Sequence, residues 1–70
     1  MSLDFIQIEK CIEEDKDFIV VFENGESERF DGSWCTDCTI NSVNRIFIYC
    51  GDEELTYFDI YDIAEVIELK

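Results

Sequence analysis

Residues 18–30 read Phe18-Ile19-Val20-Val21-Phe22-Glu23-Asn24-Gly25-Glu26-Ser27-Glu28-Arg29-Phe30. A run of β-branched and aromatic residues, an Asn-Gly pair and a second run ending in phenylalanine form a strong local signal for a β-hairpin. Asn-Gly accepts positive φ at both central positions, so a two-residue type I′ turn is expected, with Glu23 opposite Glu26. Carboxylates facing each other across a hairpin repel. The run Phe18–Phe22 is apolar at every position, so a strand there has apolar side chains on both faces.

Working outward, Gly51-Asp52 separates Ile46–Cys50 from Leu55–Asp59, and glycine in the first central position suits a type II′ turn. That register puts Ile46, Ile48 and Cys50 on one core face with Leu55 and Tyr57. Upstream, a turn over Glu13-Glu14-Asp15-Lys16 is expected to join a strand at Ile6–Ile12 to Phe18. Strands are predicted near 4–12, 17–23, 26–31, 44–50, 54–59 and 63–69. In the first meander Ile6, Ile8, Ile12, Ile19, Val21 and Phe30 would share one face. Phe5, Cys11, Phe18, Val20 and Phe22 would lie on the other, beside Gln7, Glu9, Ser27 and Arg29. The C-terminal segment is ambiguous, because Ile60, Ile63, Ala64 and Ile67 also fit helical spacing. A turn at Tyr61-Asp62 followed by a strand is the reading adopted.

Seventy residues make one domain, 1–70, of mostly β class. Six short strands predict a small barrel or a strongly bent antiparallel sheet of five to six strands. The short hairpins and the ending Glu54-Leu55-Thr56-Tyr57-Phe58-Asp59-Ile60-Tyr61-Asp62-Ile63, continuing through Leu69, resemble the SH3-like and Sm-like barrels in architecture. No motif transfers those families' binding residues.

Eighteen acids against five bases give a net charge of −13. The excess runs through both halves of the chain. Direct binding to nucleic acid or to an anionic membrane is disfavoured, since both require a basic surface, whereas a basic protein surface would be attracted. A hydrophobic fraction of 47% argues for a folded core despite the charge. No basic and apolar leader opens the sequence, and no apolar run approaches the roughly 20 residues of a membrane span, so the cytoplasm is the expected compartment.

Cys35 and Cys38 lie in Trp34-Cys35-Thr36-Asp37-Cys38, which is similar to the Trp-Cys-x-x-Cys sequence of the thioredoxin family, where such a pair exchanges disulfides. The βαβ scaffold and the proline of that family are missing, and Asp37 opposes thiolate formation. The pair is also a candidate half-site for zinc. Without histidine, Cys11 and Cys50 would have to complete four ligands. Ordinary reduced thiols are the reading preferred, with no cofactor.

The acids form clusters: Glu13, Glu14, Asp15 and Asp17 in one turn; Glu23, Glu26, Glu28 and Asp31 around the Asn-Gly hairpin; Asp52, Glu53 and Glu54 in another turn; Asp59, Asp62, Glu65 and Glu68 near the C-terminus. The Asp-x-Asp-x-Asp-Gly pattern of a calcium loop is missing. With no histidine base, no phosphate-cradling glycine loop and little room for a cleft, enzymatic activity is not expected. The expected function is contact: a non-enzymatic protein-binding module whose first three acidic clusters and Trp34 meet a partner. Trp34 has a structural reading as well, as a cap over one end of the barrel. Small size and acidity resemble the anti-restriction and anti-CRISPR inhibitors as a broad group, which implies mimicry of nucleic acid against a basic nucleic-acid-binding protein of phage or mobile-element type. Two alternatives are a zinc-stabilised domain using Cys35 and Cys38, and a homo-oligomeric β domain that hides the face around Phe18, Val20 and Phe22.

Overall fold

A computed structural model describes residues 3–69. The chain begins with a helix, α1 (Leu3–Glu13), where the alternating isoleucines predict a strand. Ile6, Ile8 and Ile12 alternate, but Phe5, Ile8, Cys11 and Ile12 recur at helical spacing and are the four residues α1 buries. Asp4 in the first turn and Lys10 in the last suit the helix dipole. The helix ends in a Schellman motif. Lys16 N–H donates to Cys11 O (2.9 Å), Asp15 N–H donates to Ile12 O (3.3 Å), and Asp15 takes a φ of 56°. The acidic Glu13–Lys16 segment is therefore a helix cap and not a hairpin turn.

Six strands follow: β1 (Phe18–Phe22), β2 (Ser27–Phe30), β3 (Asp37–Ile40), β4 (Arg45–Cys50), β5 (Glu53–Asp59) and β6 (Ile63–Glu68), with a 3₁₀ turn over Ile60–Asp62 before β6. They form two three-stranded antiparallel sheets, ordered β2-β1-β6 and β3-β4-β5, so β2, β6, β3 and β5 are edges. Neither a closed barrel nor one bent sheet of five to six strands is formed; the mostly β class holds. The helical alternative for the C-terminus reduces to the single 3₁₀ turn, and the strand reading holds there. The sequence reading contains no β3; the segment alternates Cys38 and Ile40 inward with Asp37 and Thr39 outward.

The core lies between the sheets and under α1, which packs on β3 and β6. Phe18, Val20, Ile46, Ile48 and Ile8 are completely buried. Phe18 stacks on Phe30, its register partner, at 5.1 Å. Removing a side chain like Phe18 from water contributes about 1.5–3 kcal/mol. Of the face around Phe18, Val20 and Phe22, the first two are covered inside the domain, while Phe22 stays partly exposed.

Both hairpin registers differ from the sequence reading, for local reasons. In the first, Phe22 N–H donates to Glu26 O (2.8 Å), leaving Glu23-Asn24-Gly25 as a three-residue loop. Only Gly25 has positive φ (87°), as in a type I turn closed by a glycine bulge, so Glu23 does not face Glu26. The extra residue moves Phe30 onto the face of Phe18 and away from that of Ile19 and Val21. In the second, Gly51 has positive φ (61°) and Cys50 pairs with Glu53, as expected for the turn. A register shift between Ile48 and Tyr49 then pairs Ile48 with Thr56 and Ile46 with Phe58. Leu55 (38% exposed) and Tyr57 (53%) consequently leave the core face, and Phe58 takes their place.

Candidate functional site

Among the described residues no charged side chain is buried, so the carboxylates form the skin of the fold. They do so in unlike ways at its two ends. Around the helix cap, Lys16 Nζ pairs with Glu14 (3.1 Å) and Glu68 (2.9 Å), and Arg29 pairs with Asp17 (2.8 Å). The ammonium of Lys16 holds the Glu68 carboxyl below its ordinary pKa, and the two glutamates raise that of Lys16. Asp31 Oδ1 accepts from Ser33 Oγ (2.6 Å) and Ser33 N–H (2.8 Å), bonds that lower its pKa. Glu13 and Asp15 stand exposed beside this set. The structure therefore joins the first cluster to Asp31 of the second and to Glu68, and partly neutralises the result.

The opposite end holds a cleft of about 540 Å³. Phe22 and Phe58 supply its apolar lining, their rings edge to face at 5.4 Å. Glu23, Asn24, Glu26 and Asp62 supply the polar wall. The β1–β2 loop is fixed to the 3₁₀ turn by Glu23 N–H donating to Asp62 O (2.8 Å), and internally by Glu26 N–H donating to Asn24 Oδ1 (2.9 Å). None of the ion pairs among the described residues engages Glu23, Glu26 or Asp62. Three carboxylates without a counter-cation thus surround an aromatic lining.

The remaining expected contact residues stand apart. Glu28 is exposed on β2, paired in register with Val20, and does not line the cleft. Asp52, Glu53 and Glu54 are exposed at the β4–β5 turn, where Gly51 N–H donates to Thr36 Oγ1 (2.7 Å). Trp34 is 63% exposed on the loop after β2 and caps nothing, although its N–H donates to Asp31 O (3.1 Å). On the outer face of the second sheet, Phe47 packs on Tyr57 at 5.9 Å, and Arg45 lies over the Tyr57 ring at 5.0 Å while pairing with Asp59 (3.0 Å).

Cys11, Cys35 and Cys38 are buried and Cys50 is half-buried, all as free thiols. Among the described residues no three His, Cys, Asp or Glu side chains gather as a metal ion requires, so the zinc alternative lacks its further ligands. Burial, with Glu9 and Asp37 nearby, pushes the Cys38 thiol up to about 12; burial and Asp31 raise Cys35. Both shifts oppose the thiolate that disulfide exchange needs.

Phe22, Asn24, Phe58 and Asp62 are the cleft residues absent from the contact set expected from the sequence. Two signals pointed towards them: an apolar run with side chains to spare beside an Asn-Gly turn, and the acid at Asp62 in the turn before the last strand. Among the described residues no helix is long and apolar enough to cross a membrane. No protein-family model matches the chain, and no curated protein or solved structure matches it either.

Proposed function

We propose that this domain is a non-enzymatic protein-binding module that uses its acidic surface to engage a basic protein, acting in its sharpest form as a nucleic-acid-mimicking inhibitor of a basic nucleic-acid-binding protein. One observation carries the reading: eighteen acids are offset by five bases, and no charged side chain among the described residues is buried. A rigid scaffold with fixed carboxylates can occupy a groove built for phosphates, which in duplex DNA recur about every 1.7 Å of axis.

The test is retention of basic proteins from the native host, enriched on heparin, by the immobilised domain. A specific protein should be held at low salt, released as salt rises, and displaced by duplex DNA. Retention of none, or retention indifferent to both salt and DNA, removes the reading.

A further inference from the structure

We propose that the cleft between Phe22 and Phe58 is a receptor for a single arginine side chain presented by the basic partner. This rests on the reading above and assigns its contact point.

The cleft differs from the ion-paired acidic regions in what it lacks, and from the β4–β5 turn, whose Asp52, Glu53 and Glu54 also stand outside the ion pairs, in the aromatic rings that line it. Around the helix cap, Lys16 and Arg29 already answer the carboxylates, and on the second sheet Arg45 answers Asp59. Among the described residues Glu23, Glu26 and Asp62 have no such cation, and they line the cleft together with two phenylalanine rings. The unmet charge calls for a cation, and the apolar lining calls for a side chain with an apolar body. A strongly hydrated ammonium would lose its water against the rings with little in return. A guanidinium is planar and weakly hydrated, stacks on aromatic rings, and presents several N–H donors in a fixed fork. It can lie on the aromatic lining while its edge donates to carboxylates on the rim.

The framework suits reception without rearrangement. The β1–β2 loop is closed by Phe22 N–H to Glu26 O (2.8 Å), and its tip is tied to the 3₁₀ turn by Glu23 N–H to Asp62 O (2.8 Å). Glu23 and Asp62 are thereby held across from each other by the backbone, so the side chains can be changed without removing the tie.

The experiment is a titration of the ¹⁵N-labelled domain, followed by amide chemical shifts, with acetyl-Gly-Arg-Gly-amide and with its lysine and citrulline counterparts. Saturable shifts confined to residues 22–26 and 58–62 are expected with arginine, at least tenfold weaker binding with lysine, and none with uncharged citrulline. A Glu23→Gln, Asp62→Asn variant should keep the remaining spectrum and lose at least tenfold in arginine affinity. Shifts spread over the whole acidic surface, lysine binding equal to arginine, or unchanged affinity of the variant would each overturn the assignment. If the variant still retains the partner captured above at full affinity, the cleft fails while the broader reading stands. If no basic protein is captured, the broader reading fails whatever the peptide does.

Discussion

Gly25 and Asn44 hold the same place in two hairpins of the same build. In each, the residue three positions earlier accepts its N–H: Phe22 O at 2.9 Å for Gly25, and Asn41 O at 3.1 Å for Asn44. Each has positive φ, 87° and 63°. Glycine takes this conformation without steric cost, and asparagine takes it more readily than other side chains. Asn44 is further engaged, its Nδ2 donating to Tyr61 Oη (2.9 Å) and its carbonyl accepting from Ile60 N–H (2.9 Å). Replacing Gly25 by alanine should therefore cost about 1–2 kcal/mol, and replacing it by asparagine distinctly less. Urea denaturation of the two variants checks this; equal losses would show that backbone handedness is not the cause.

Gly32 is required for a different reason. It is buried, and a Cβ built on it collides with the Lys16 main chain, while its own N–H donates to Asp17 Oδ1 (3.2 Å). The backbone on both sides is fixed, so relief by a rotamer change is closed. Gly32→Ala should destabilise by about 1–3 kcal/mol, the usual range for overpacking. A melting temperature matching the parent would show that the two segments are free to separate.

The buried thiols make stability fall in alkali. A thiol whose folded pKa exceeds its unfolded value favours folding below the unfolded value and loses that contribution as pH rises towards the folded one. For Cys38 the window runs from 9.0 to about 12, and Cys11 and Cys35 shift in the same direction. The urea midpoint should drop between about pH 9 and pH 11, and drop less steeply in Cys38→Val. Identical slopes would mean that Cys38 ionises as freely in the fold as outside it.

Added salt should stabilise the domain. Its extents are 27 × 26 × 20 Å, within the Debye length of about 30 Å at 0.01 M salt, so every carboxylate then acts on every other. Raising salt shortens that reach to about 3 Å at 1 M. It also weakens the surface ion pairs, but each is worth only about 0–1 kcal/mol, and only four carboxylates take part in them among the described residues. Repulsion dominates at a net charge of −13, so the melting temperature should rise by several degrees across that range. A fall would mean that the ion pairs outweigh the repulsion.

The fold was legible where local chemistry acts alone. The paired runs around Gly25 and Gly51, and the turn before Ile63, announced their hairpins and the last strand. It was not legible where two periods coexist. Ile6, Ile8 and Ile12 satisfy a strand, while Phe5, Ile8, Cys11 and Ile12 satisfy a helix, and the contacts with β3 and β6 decide between them. Nor could one-residue irregularities be read. The glycine bulge at Gly25 and the shift after Ile48 each moved side chains to the opposite face, carrying Phe30 and Phe58 inward and Tyr57 out. The cleft was hidden because Phe22 meets Phe58 only where separate sheets pack on each other, which no local pattern records.

The four edge strands give the dense acidity a second consequence. Each open border carries a carboxylate: Glu28 on β2, Asp37 on β3, Glu53 on β5 and Glu65 on β6. Unpaired strand borders template cross-molecular addition and, in the extreme, amyloid. Here every incoming copy meets a line of like charge, so crowded solutions stay dispersed at neutral pH. Near the isoelectric point of about 4.1 that guard is gone, and fibril seeding should begin there.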